Sequence, residues 1–137
     1  MNVTIENEKI TATIKTLGAE LCSLQLKDHQ QEYMWQADPS YWAKHSPVLF
    51  PFVGTLKNNE YHFKGRVFQC GRHGFARERE FDVETIKQDR VCFRLDSDES
   101  SKKIYPFDFE FRIIYSVSGT SLSVAYEILN KGEDTMY

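Results

Sequence analysis

Apolar residues fall at every second position over much of this chain, which is the period of a strand with one face buried. The longest run is Phe107, Phe109, Phe111, Ile113, Tyr115 and Val117, with Asp108, Glu110 and Arg112 between them on a predicted solvated face. Leu122, Val124, Tyr126 and Ile128 repeat the period after a Ser-Gly-Thr turn at 118–120, so the two runs are expected to pair as an antiparallel hairpin. Ile10, Ala12 and Ile14, then Cys22, Leu24 and Leu26, then Val91, Phe93 and Leu95 predict further strands of the same kind. Residues 60–63 and 67–69 flank Lys64 and Gly65, where glycine supplies the positive φ of a tight turn, and predict a second hairpin.

Helical signals are sparse. Asp38 before Pro39 has the cap and first-turn proline of a helix, enough for one or two turns over 38–43. Residues 96–103 read as a polar loop with room for another short turn. No repeat, low-complexity linker or compositional break divides the chain, so residues 1–137 are read as a single domain. Strands at short intervals joined by turns predict an all-β fold, an antiparallel β-sandwich.

With 137 residues, 41% of them hydrophobic and 14% aromatic, the chain can bury one core and is too short for two ordinary domains. Its 17 basic and 20 acidic residues are intermixed and form no polybasic stripe, which argues against a nucleic-acid partner. No apolar run approaches the roughly 20 residues that cross a bilayer, and the first residues lack the basic and apolar regions of a signal peptide. No membrane association and a cytoplasmic location are therefore expected. Cys22, Cys70 and Cys92 are odd in number and widely spaced, so they are expected to be reduced core residues. The four histidines are not paired at ligand spacing, and neither a phosphate loop nor a nucleophile elbow is present. No metal and no cofactor are expected.

His73 is the leading candidate for chemistry. It sits between Arg72 and Gly74, where a glycine permits close approach of a ligand or another backbone; the alternative is a histidine that caps a turn. Arg77 offers a planar fork of donors for paired hydroxyls or a phosphate, or else a salt bridge to Glu78, Glu80 or Asp82. His29 and His62 lie in or beside turns and read as exposed, and His45 reads as a loop-fixing residue.

Residues 45–54 (HSPVLFPFVG), 72–77 (RHGFAR), 105–109 (YPFDF) and 130–132 (NKG) together resemble the aldose 1-epimerase family, and within it the LacX-type branch. The resemblance covers nearly all of the chain and implies the first half of a galactose-mutarotase-like supersandwich. It implies that His73 lines a sugar pocket and holds the ring oxygen or a neighbouring hydroxyl, with Arg77 and, at lower rank, Arg72 beside it. Relatives usually carry a different residue in place of Arg72. Many relatives have arginine after the glycine that corresponds to Gly54, whereas this sequence has Thr55, whose hydroxyl lacks the charged fork. Lys57 either compensates or is a solvated turn residue. Trp42 or Phe52 is the apolar platform for a pyranose face, or belongs with Trp35, Phe50 and Pro51 to the filling of the sandwich.

Mutarotation requires a base for the anomeric hydroxyl proton and an acid for the ring oxygen. The resemblance places a catalytic histidine in the segment that would follow Tyr137 and the base further on. No catalytic residue is therefore expected here, and the domain is expected to be incomplete and inactive as it stands. The expected ligand is a hexose or hexose phosphate. The other reading is a non-catalytic carbohydrate-binding β-sandwich module. Uncovered strand edges lead to an expectation of self-association.

Overall fold

Two four-stranded antiparallel sheets face each other across one core in the computed structural model, which describes residues 1–137. The first sheet runs in chain order: β1 (Asn2–Glu6), β2 (Ile10–Lys15), β3 (Glu20–Leu26) and the short β4 (Gln31–Glu32). A two-stranded hairpin follows, made of β5 (Glu60–Phe63) and β6 (Arg66–Gln69). The second sheet contains β7 (Asp82–Ile86), β8 (Arg90–Asp96), β9 (Phe109–Ser118) and β10 (Ser121–Asn130), in the spatial order β10-β9-β8-β7. The fold is thus the antiparallel β-sandwich that the alternation predicts.

The alternating residues meet between the sheets. Val3, Ile5, Ile10, Ala12 and Ile14 from the first sheet join Val91, Phe93, Phe109, Phe111, Ile113, Tyr115 and Val117 from the second in one buried cluster. The Tyr115 hydroxyl crosses the core to donate to the Ala19 carbonyl at 2.8 Å, which satisfies a polar atom that burial would otherwise make costly.

Period two alone missed several features. β1 and β7 are short, and their apolar residues, Val3 with Ile5 and Val83 with Ile86, are too few to signal a strand. A bulge between Thr13 and Ile14 shifts the β3 register, so that Leu21 faces the core while the Cys22 thiol donates to the Thr13 carbonyl at 3.3 Å. Cys22 is accordingly half-buried, whereas Cys70 and Cys92 are buried, and all three are free. The expected helix at 38–43 is a single turn in which the Tyr41 and Trp42 N–H groups both donate to the Asp38 carbonyl. Tyr41 and Trp42 are exposed there, so no apolar face remains to stabilise a longer helix. The loop at 96–103 does contain a short helix, α1 (Glu99–Lys102), closed by a capping box between Asp98 and Ser101.

Glu110 overturns the reading of its strand's second face as solvated: it is 6% exposed. Register places Arg94 directly opposite Arg112, two like charges whose repulsion needs compensation. Glu110 pairs with Arg112, with Arg94 at 3.1 Å and with Lys131 at 3.7 Å; Glu84 adds a 2.8 Å contact to Arg112. Hydrogen bonding from Arg112 holds the Glu84 carboxyl down at about 2, below its ordinary 4.5. A depressed carboxylate contributes stability that is present above pH 4.5 and is lost as pH falls toward 2. Urea midpoints should therefore decline through that window. Glu84→Gln should flatten the decline, and an unchanged pH slope would contradict the pairing.

β10 continues the core face of β9 beyond the cover of the first sheet. Leu122, Val124, Tyr126 and Ile128 lie opposite Val117, Tyr115, Ile113 and Phe111, yet Tyr126 is 58% and Ile128 50% exposed. Tyr126 and Ile128, with Pro47, Leu49 and Phe50, border an apolar hollow of ≈ 350 Å³. The outer edge of β10 has no neighbouring strand.

Candidate functional site

The site is built where the segment 47–54 crosses the loop 71–77. In the first segment alternation places Val48 and Phe50 in the core, leaving Pro47 and Leu49 half-buried on the other side. Phe50 is the hub, with its ring against those of Phe75, Tyr105, Phe109 and Phe111 at centroid distances of 6.1, 6.0, 5.1 and 4.6 Å. Its carbonyl accepts from the Phe75 and Ala76 N–H groups at 2.9 and 3.2 Å. Gly74 makes the crossing possible. Its φ is +70°, and a Cβ there would lie 2.1 Å from the Phe50 carbonyl oxygen.

His73 is held by Gly54 from both sides of the peptide. The His73 N–H donates to the Gly54 carbonyl at 2.8 Å, and the Gly54 N–H donates to His73 Nδ1 at 2.9 Å. The histidine backbone is left-handed at φ +69°, a conformation that such surroundings must enforce. Arg72 Nε also approaches His73 Nε2, at 3.1 Å. Both contacts call for a lone pair, and a neutral imidazole has only one. The two donors, one main-chain and one guanidinium, compete for that lone pair. Partial desolvation, then the charges of Arg72 and Arg77, hold the imidazole below its ordinary pKa.

His73 lines a cleft of ≈ 590 Å³ with Trp42, Pro47, Leu49, Arg72 and Arg77, a size suited to a small ligand. An Arg77 Nη donates to the Arg72 carbonyl at 3.0 Å, and its Nε lies 3.6 Å from the Glu78 carboxylate. The Arg77 segment is also pressed against the first sheet: a Cβ on Gly18 would meet the Arg77 carbonyl oxygen at 2.9 Å. Trp42 is half exposed, and its carbonyl accepts from the Trp35 indole at 2.9 Å.

Four of the six sequence candidates, Trp42, Arg72, His73 and Arg77, thus share one cleft. Thr55 is exposed and does not line it. Phe52 turns away to pack edge-on against Tyr61 and Tyr105 at 5.2 and 5.8 Å, where it borders a separate apolar cavity of ≈ 200 Å³. Pro47, Leu49 and the Gly54 amide were missed; the alternation through 47–50 was the signal for the first two. A larger hollow of ≈ 770 Å³ lies among the turns that contain Asn7, Gln88 and Gly119. Its lining is almost wholly polar, and no histidine or cysteine faces it. No group of three or more His, Cys, Asp or Glu residues is arranged to hold a metal ion. No helix is long and apolar enough to cross a membrane.

Comparison with known proteins finds relatives along the whole chain. The family model for aldose 1-epimerase matches residues 1–137. The chain is 37% identical to the chromosomal protein LacX of Lactococcus lactis subsp. lactis over 142 aligned residues, covering 99% of this chain and 47% of LacX. The crystal structure of a galactose mutarotase related enzyme from Lactobacillus acidophilus is 43% identical and superimposes with a TM-score of 0.97, over 99% of this chain and 45% of that one. A galactose mutarotase-like protein from Lactobacillus casei is 34% identical with a TM-score of 0.96, over 99% and 46%. The chain spans about half the length of the relatives it matches.

Proposed function

Since these 137 residues belong to the aldose 1-epimerase family, we propose that they supply the sugar-binding part of an epimerase-like site acting on the anomeric centre of a hexose, free or phosphorylated. The observation that carries this reading is the His73 imidazole, which Gly54 fixes in the lining of the cleft. Ring opening moves a proton off the anomeric hydroxyl and another onto the ring oxygen. The imidazole placed there holds the ring oxygen or an adjacent hydroxyl of the sugar. Arg77 is the second binding group, and the exposed face of Trp42 is the platform for the C–H face of a pyranose.

The cleft is lined by no carboxylate. The same fact favours a second reading, a carbohydrate-binding β-sandwich that does not turn its ligand over. In either case these residues should bind a hexose without accelerating its mutarotation. Calorimetry should show hexose binding that His73→Ala weakens about ten-fold, the loss of one hydrogen bond. Polarimetry on fresh α-glucose should stay at the buffer rate. A rate above buffer that disappears in His73→Ala would show that the cleft residues suffice for catalysis, and absence of hexose binding would end both readings.

The free edge of β10 and its exposed Tyr126 and Ile128 are the surface through which a second copy pairs. Burying side chains such as Val124 and Ile128 is worth roughly 1.5–3 kcal/mol each, and an antiparallel β10–β10 ribbon would cover both. Sedimentation velocity at micromolar concentration should show a dimer or larger species, and Ile128→Lys should shift it to monomer. A wild-type monomer would refute this pairing. Three free thiols suit a reducing compartment, and we read the protein as cytoplasmic.

A further inference from the structure

The wall of the cleft that carries Trp42, Pro47 and Leu49 has little backbone framework of its own. Residues 43–49 belong to no helix or strand, and none of them makes a hydrogen bond from main chain to main chain. At its far end the segment is fixed where Phe50 crosses Gly74. Nearer Trp42 its N–H groups find a side chain instead: those of His45 and Ser46 both donate to Glu20 Oε1, at 2.7 and 3.0 Å. The Ser46 hydroxyl donates to the Leu21 carbonyl at 2.8 Å, and Lys15, the partner of Glu20 across β2 and β3, brings its ammonium to 3.4 Å from His45 Nδ1. Glu20 is tied to the opposite wall as well. It opens β3 directly after the turn 16–19, and that turn is bonded to the chain beyond Arg77: the Gly18 N–H donates to the Arg79 carbonyl at 2.7 Å, and the Phe81 N–H to the Thr16 carbonyl at 3.0 Å. One turn of the first sheet thus grips both sides of the cleft.

We propose that Glu20 is a positioning residue for the sugar site, whose carboxylate sets the separation between the wall of Trp42, Pro47 and Leu49 and the wall of Arg72, His73 and Arg77. This rests on the sugar-binding reading given above. Glu20 does not line the cleft, so it acts through the segment that it holds. A carboxylate suits the task because one oxygen accepts two N–H groups in charge-assisted bonds. Without that acceptor the His45 and Ser46 N–H groups turn to water, and the segment ahead of Phe50 gains conformational freedom. A sugar must then order the wall as it binds, which moves the cost of ordering from folding into binding.

The test is calorimetry with glucose on the 137-residue chain and on Glu20→Gln, Glu20→Asp and Glu20→Ala, each first shown by a urea melt to be folded under the binding conditions. Glu20→Ala should bind glucose about ten-fold more weakly, the scale of a lost charged hydrogen bond. Glu20→Gln keeps a side-chain oxygen at the same reach and should stay within about three-fold of wild type. Glu20→Asp is one methylene shorter and should fall between them. Hydrogen exchange at the His45 and Ser46 amides should follow the same order, slow in wild type and Glu20→Gln and fast in Glu20→Ala. If Glu20→Ala does not fold, the comparison of Glu20→Gln with Glu20→Asp decides the matter. Wild-type affinity in a folded Glu20→Ala or Glu20→Asp would overturn the role of Glu20 while leaving the sugar site standing. Glu20→Gln binding as weakly as Glu20→Ala would overturn it also, because the acceptor geometry would then not be what counts. A wild-type chain that binds no glucose would remove the underlying reading and the proposal with it.

Discussion

Phe109→Ala is expected to lower unfolding stability by about 3–5 kcal/mol, the usual cost of removing a phenylalanine that the surrounding core cannot collapse onto. Phe109 is fully buried, and its ring meets Phe50, Phe75 and Tyr105 at 5.1, 6.2 and 6.2 Å, so the cavity would open in the cluster beneath the cleft. The next residue along the strand makes the comparison informative. Simple alternation predicts that Glu110→Ala is mild. The buried Glu110 carboxylate between Arg94 and Arg112 instead makes it cost roughly 1–3 kcal/mol, since two opposed guanidiniums lose their shared partner. Urea melts of both variants test this. Equal losses would contradict the assignment of faces on β9, and a Glu110→Ala variant as stable as wild type would contradict the charge network.

Gly74→Ala is expected to be the most damaging change at the site. Alanine in the left-handed region is strained by about 1–3 kcal/mol, and its Cβ would overlap the Phe50 carbonyl. Relief requires 71–77 to separate from 47–54, which breaks the bonds from Phe75 and Ala76 to Phe50 and releases the His73–Gly54 pair. The total should be on the order of 3–5 kcal/mol, with hexose binding lost even where the protein remains folded. Gly65→Ala is the control: it has a similar positive φ, but no atom lies within 4 Å of its Cβ position. It should show the backbone strain alone. Equal losses in the two variants would mean that the crossing at Phe50 is not what holds the site.

What was legible in the sequence follows from how each feature is encoded. Six apolar residues at period two announced β9 because a strand buried on one face leaves that trace directly, and the hairpin to β10 followed from the turn between them. Glu110 was misread because periodicity reports which face an isolated strand would bury. It carries no information on Arg94, which arrives opposite from β8 only after the sheet has formed. Cys22 was misplaced for a similar reason: one extra residue in a bulge reverses the alternation without changing any residue type. Of the site, His73 and its arginines stood out as chemistry-bearing residues in one short segment. Phe52 could not be assigned from sequence, since an aromatic residue in a β-rich chain fits a core and a sugar platform equally well; packing on Tyr61 and Tyr105 separates it from the cleft. The orientation of the His73 ring was not readable at all, because it is fixed by the backbone amide of Gly54, a group that every residue but proline carries.

The central claim is that the cleft at His73 receives a hexose. Its most direct test is a two-dimensional ¹⁵N–¹H spectrum of the labelled chain recorded during titration with glucose 6-phosphate. The account predicts saturable shifts concentrated at the Gly54, His73, Gly74 and Arg77 amides and at the Trp42 indole, with the amides of Asn7, Gln88 and Gly119 around the larger polar hollow unmoved. Shifts confined to that hollow, or a spectrum unchanged at saturating ligand, would contradict it.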